Sequence, residues 1–170
     1  EVLIGNSLRD ILQDIIGVGE KVVTIVKTFS YNHRDLLLDS DTKESRPDIM
    51  KGAEPFRFEA DGPKVLLIHG FTASPTEMLP IGKYLHKKGY DIYSVLLAGH
   101  GTSPEDLQTK KKEDWWLSVR KIFKKTDDFD YVIGFSMGAL LAARAAVVYR
   151  NQLKGVVIIS PFLKIKPKIL

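Results

Sequence analysis

Four short, mainly apolar stretches punctuate the chain after its first third: residues 64–68, 91–96, 131–135 and 154–160. A near-continuous apolar run suits a strand buried on both faces, as in a parallel sheet. Between the runs, apolar residues recur at helical spacing. Ile81, Tyr84 and Leu85 share one face, and Trp115, Val119 and Ile122 (with Phe123) share another. After residue 135 a helix carries Ala139, Ala142, Ala143 and Ala146, small enough to let it lie close to a sheet. Strand and helix therefore alternate, which is βαβ architecture with a mostly parallel sheet.

The ends of these elements have their own signals. Ser74-x-x-Glu77 has the form of a capping box with Pro75 suited to the first helical position. Pro80 would break the backbone ladder inside such a helix, so the regular helix is expected to start near Pro80, with Met78 and Leu79 near the mouth of a site. Gly89 follows Lys87 and Lys88 as a helix stop. Pro55-Phe56-Arg57-Phe58-Glu59-Ala60 alternates apolar and polar and predicts a strand, closed by a turn at Asp61-Gly62-Pro63.

The first third reads differently. Leu8, Ile11, Leu12, Ile15 and Ile16 lie on one face of a helix that Asn6 or Ser7 can cap, and Gly17 and Gly19 interrupt it. The β-branched run 22–26, with Phe29 beyond it, is compatible with helix or strand. Residues 31–54 are polar and read as a linker. The expected division is an amphipathic extension and linker over 1–54, an α/β core over 55–163, and a tail or inserted segment over 164–170.

Composition narrows the class. The 170 residues are 44% hydrophobic and 27% charged, as in a soluble globular protein. Cysteine is absent, which excludes a disulfide framework and thiolate metal sites and suits a reducing cytoplasm. The net charge of +4 is modest, with lysines spread along the chain, and no nucleic-acid recognition motif accompanies it. Many Lys and Ile residues without Cys suggest a thermophile. No uninterrupted apolar span of ~20 residues and no basic start with a cleavage site is visible. A cytoplasmic protein is expected, with residues 1–30 as a packed extension or, alternatively, a membrane-surface or dimer contact.

The chemistry concentrates at the carboxyl ends of the apolar runs, where sites form in such sheets. Gly134-Phe135-Ser136-Met137-Gly138 lies between a strand and a helix, the context of a nucleophile elbow. In an elbow the residues two before and two after the nucleophile crowd together, so Gly134 and Gly138 are the sensible occupants. His69-Gly70-Phe71-Thr72 ends one strand and Gly99-His100-Gly101-Thr102-Ser103 follows the next. The Trp115-Trp116 pair is expected to divide between core and pocket wall. No pair of histidines has metal-ligand spacing with a nearby carboxylate, so no metal or cofactor is expected.

Taken together and in this order, these motifs resemble the α/β-hydrolase superfamily, and within it the small carboxylesterases and monoacylglycerol lipases of bacteria and archaea. The resemblance covers about residues 64–163. It implies an α/β-hydrolase fold, cut short after the strand that follows the nucleophile helix. Ser136 would attack an ester carbonyl and form an acyl-enzyme. The N–H groups of Met137 and Phe71 would form the oxyanion hole, with Phe71, Leu79, Phe135 and Met137 as apolar pocket walls. His69 and Gly70 would be structural at the site, as would Gly134 and Gly138.

The family order is Ser, acid, His, yet no His, Asp or Glu follows Ser136 here. Both partners are therefore expected beyond residue 170, in a missing C-terminal half of the same protein. Ending after residue 160 would also leave an open strand edge. The other readings are a non-catalytic binding module of the same fold, or a thioesterase, peptidase or C–C bond hydrolase on the same elbow.

Overall fold

The computed structural model describes residues 23–25, 48–126 and 128–161. The amphipathic helix expected near residues 8–16, most of the linker and the 164–170 tail lie outside the described residues.

Six strands form one sheet: β1 (Val23–Ile25), β2 (Arg57–Phe58), β3 (Lys64–Ile68), β4 (Asp91–Val95), β5 (Tyr131–Phe135) and β6 (Gly155–Ile159). Their spatial order is β1-β6-β5-β3-β4-β2, parallel throughout except for the β2–β4 pair. Among the described residues four α-helices accompany them: α1 (Leu79–His86), α2 (Pro104–Thr109), α3 (Lys112–Lys125) and α4 (Met137–Val148).

The pleat sorts each apolar run onto two faces. Leu66, Ile68, Val95, Val132 and Val156 meet Trp116, Val119 and Phe123 of α3 and Leu141, Ala142 and Ala145 of α4. Val65, Leu67, Ile92, Ile133 and Val157 meet Met78, Leu79, Ile81 and Leu85 on the other side. Each fully buried Leu, Ile or Phe contributes about 1.5–3 kcal/mol, so this two-sided burial holds the sheet. Asp130 pins the amino ends of the central strands. One carboxylate oxygen accepts the Lys64 N–H at 2.8 Å and the other pairs with the Lys154 ammonium at 2.7 Å.

Several expectations need correction in detail. The strand read over residues 55–60 is a regular strand only at Arg57–Phe58, although the Ser94 backbone N–H still donates to the Phe56 carbonyl at 2.9 Å. Ser94 Oγ accepts the Phe56 N–H at 2.5 Å and donates to the Phe56 carbonyl at 2.9 Å. On α3 Trp116, Val119 and Phe123 are fully buried, while Trp115 and Ile122 are partly buried against the same core. On α4 the residues fully against the sheet are Ala139, Ala142 and Ala145, whereas Ala143 and Ala146 are partly exposed. The ambiguous run 22–26 resolves as strand: Val23, Thr24 and Ile25 pair in parallel with Val157, Ile158 and Ile159. The β6 edge that was expected to be open therefore carries β1.

Candidate active site

The elbow begins with a steric conflict that only glycine avoids. β5 ends at Phe135, and Ser136 turns the chain with φ 53° and ψ −114° before α4 starts at Met137. A φ in this range is strained for any residue with a Cβ. A Cβ at Gly134 would overlap the Gly138 carbonyl, and one at Gly138 would overlap the carbonyls of Ile68 and His69. The elbow is closed internally by the first of these approaches. The second brings it against the end of β3. A hydrogen bond from the Ser136 N–H to the Ile159 carbonyl at 2.9 Å ties the turn to β6.

The same close approach places Ser136 beside the His69-Gly70-Phe71 loop. A Cβ built on Gly70 would lie 3.2 Å from Ser136 Cβ. As the first residue of α4, Met137 offers an N–H that has no acceptor within its own helix, at the positive end of the helix dipole. The Phe71 N–H makes no hydrogen bond among the described residues. Its direction follows from peptide planarity: the Gly70 carbonyl is held by His69 Nδ1 at 2.8 Å, so the Phe71 N–H on the same peptide points the opposite way.

His69 is fully buried and both ring nitrogens are committed. Nε2 accepts the Leu97 N–H at 3.2 Å, which leaves the proton on Nδ1 to donate to the Gly70 carbonyl. Burial, aided slightly by neighbouring His100, lowers its pKa to about 3 despite the bond to Gly70. The ring is a neutral brace between the loops after β3 and β4.

His100 packs edge-on against His69, Phe71 and Trp115, with ring centroids 5.0, 5.9 and 5.9 Å away. Its Nδ1 lies 3.1 Å from the Ala98 carbonyl, and burial pushes its pKa down. Trp115 donates its indole N–H to the same carbonyl at 3.1 Å. So Trp116 is core and Trp115 is wall, edge-on to Phe71 with ring centroids 5.7 Å apart.

The expected pocket residues separate. Phe71 is 51% exposed at the top of the site. Phe135 and Met137 flank Ser136, packed against opposite cores. Leu79 is 1% exposed and packs in the core beside Met78 and Ile81. A cleft of about 440 Å³, lined by Met50, Thr72, Ser74, Glu77 and Pro80 but not by Ser136, lies beside the loop after β3.

Two contributors were not singled out from sequence. Residues 48–54, read as the end of a linker, lie against the second glycine loop: the Met50 N–H donates to the Gly101 carbonyl at 2.7 Å and Ala53 is buried. Glu77 was read as a cap, but its Oε2 accepts the Gly70 N–H at 2.7 Å. Among the described residues no three His, Asp or Glu side chains converge as a metal site, and no helix is long and apolar enough to cross a membrane.

A mostly parallel sheet flanked by helices, with a strained serine between its central strand and the following helix, defines an α/β-hydrolase. Residues 61–170 match the model of the serine aminopeptidase S33 family, and the chain belongs to that family. It is 32% identical over 108 residues to a carboxylesterase of Bacillus subtilis (strain 168), covering 61% of this chain and 43% of that protein. It is 38% identical over 96 residues to a thermostable monoacylglycerol lipase of Bacillus sp. (strain H-257), covering 55% of this chain and 38% of that protein. Among solved structures, one described with the metagenome-derived lipolytic enzymes LipS and LipT superposes with a TM-score of 0.66 at 27% identity. That match covers 71% of this chain and 51% of the other. The chain thus spans about half the length, or less, of these relatives.

Proposed function

We propose that this chain carries the nucleophile half of a carboxylic-ester hydrolase, acting on acyl glycerols or short- to medium-chain acyl esters through an acyl-enzyme on Ser136. The observation that carries the reading is the strained φ of Ser136 between two glycines whose closeness leaves no room for a Cβ. Such strain persists only where the surrounding structure over-determines it.

In this reading Ser136 Oγ attacks the ester carbonyl carbon while its proton passes to a general base. The carbonyl oxygen gains the negative charge and is met by the N–H groups of Phe71 and Met137. Collapse of the tetrahedral intermediate expels the alcohol oxygen, which takes the proton from the base. Water then attacks the acyl-enzyme, the base taking its proton, and releases the carboxylic acid with Ser136 restored. No His, Asp or Glu follows Ser136 in the sequence. His69 has no free nitrogen. In the order Ser, acid, His that this fold uses, both partners follow the nucleophile, so this reading places the base and its acid beyond residue 170. The half-exposed Phe71, with Phe135 and Met137, supplies apolar surface for an acyl group.

Esters are favoured over peptides by the two relatives named as a carboxylesterase and a monoacylglycerol lipase. The intact gene product is tested on p-nitrophenyl butyrate and on leucine p-nitroanilide. Turnover of the ester, lost by about 1,000-fold or more in Ser136→Ala, is the expected result. Ester turnover that survives in Ser136→Ala, or cleavage of the anilide alone, would overturn it.

A further inference from the structure

Gly70 is held on both sides by side chains, and only one of the two holders follows from the histidine next to it. Its carbonyl accepts from His69 Nδ1, and its N–H donates to Glu77 Oε2 at 2.7 Å. Glu77 stands where a helix cap would use it, three residues after Ser74. There the capping role is absent. The Ser74 side chain makes no cap hydrogen bond and instead pairs with Thr76 Oγ1 at 2.6 Å. Only backbone closes that turn, from the Glu77 N–H to the Ser74 carbonyl at 3.0 Å. The Glu77 carboxylate turns away from its own turn and reaches seven residues back.

Its position relative to the elbow is close. A Cβ on Gly70 would lie 3.2 Å from Glu77 Oε2 and 3.2 Å from Ser136 Cβ, so the carboxylate and the serine both crowd the side of Gly70 where a side chain would stand. Glu77 is half-buried, and burial pushes its carboxyl above the usual range while the Gly70 N–H pulls it back. An N–H donated to a carboxylate is among the stronger hydrogen bonds.

We infer that Glu77 is a positioning residue for the oxyanion hole, clamping the His69–Gly70 peptide and with it the direction of the Phe71 N–H that follows. This rests on the ester-hydrolase reading. The physical need is specific to glycine. Gly70 has no side chain to resist rotation of the peptides on either side, and Phe71 beyond it is half exposed. His69 fixes the Gly70–Phe71 peptide and Glu77 fixes the one before it. With both held, neither peptide can turn in concert with the other. The clamp also occupies the Gly70 N–H, so it cannot swing out as a misplaced donor.

The test compares Glu77→Gln, which keeps an acceptor oxygen at the same reach, with Glu77→Met, which keeps the bulk without one. Glu77→Ala serves as a second acceptor-free variant. In the intact gene product, Glu77→Met should lose about 10- to 100-fold in kcat on p-nitrophenyl butyrate, with KM within about threefold. Glu77→Gln should stay within about threefold of wild type in both. An alkylboronic acid, which forms a tetrahedral adduct on the serine, should bind Glu77→Met more weakly by the same factor as kcat. Equal kcat in wild type and Glu77→Met, or equal losses in the Gln and Met variants, would overturn the inference while leaving Ser136 as nucleophile. A wild type whose ester turnover survives in Ser136→Ala would overturn the hydrolase reading and this inference with it.

Discussion

His69 lies two residues before the proposed oxyanion donor, yet its ring has both nitrogens in use, one accepting from Leu97 and one donating to Gly70. Its pKa of about 3 follows from complete burial. The unfolded chain would bind a proton on this residue below about pH 6.5, where the folded chain does not. Unfolded protein therefore carries more protons in that window, and stability rises with pH through it. The expected outcome is a denaturation free energy that falls as pH drops from about 6.5 towards about 3, by up to about 1.4 kcal/mol per pH unit from this group alone. Replacing His69 by Gln should flatten that dependence. An unchanged slope in His69→Gln would contradict the buried neutral brace. Whether such a residue is base or brace is hard to read in sequence, because the answer lies in which backbone groups meet each nitrogen.

At the scale of elements, the strands that carry the site were legible because burial on both faces leaves mainly apolar runs at β3, β4, β5 and β6. The irregular start of α1 was legible too: Pro75–Met78 forms a 3-10 turn and the α-helix begins at Leu79, next to Pro80. What escaped were matters of phase and partner. Trp115 and Trp116 are adjacent and equally apolar, so only packing decides which enters the core. Ser74 and Glu77 have the spacing of a cap, but Gly70 competes for the carboxylate and wins. The β-branched run 22–26 fits helix or strand alone, and pairing with β6 decides it. Proline cannot donate to a ladder and is poorly tolerated inside a strand. Thr24→Pro should therefore lower the melting temperature and promote concentration-dependent self-association, as the β6 edge is uncovered. An unchanged melt and an unchanged sedimentation profile would mean that β1 contributes nothing to the sheet.

At the scale of the whole molecule, β3, β4 and β5 each deliver a loop to the same end of the sheet. His69-Gly70-Phe71, Gly99-His100-Gly101 and Ser136 are joined there by His69, which bonds to both upstream loops, and by Glu77 across Gly70. The serine and its two neighbouring N–H groups are thus assembled within residues 48–161. This explains why the elbow and its glycine loops could be read from local motifs. The proposed acid and base could not be read in the same way, because no His, Asp or Glu follows Ser136 in this sequence. The most direct measurement is the site of covalent labelling. The intact gene product is treated with a fluorophosphonate, digested, and the adduct located by mass spectrometry. The account predicts a single adduct on Ser136, absent in Ser136→Ala. Labelling at another residue, or labelling that persists in Ser136→Ala, would contradict it.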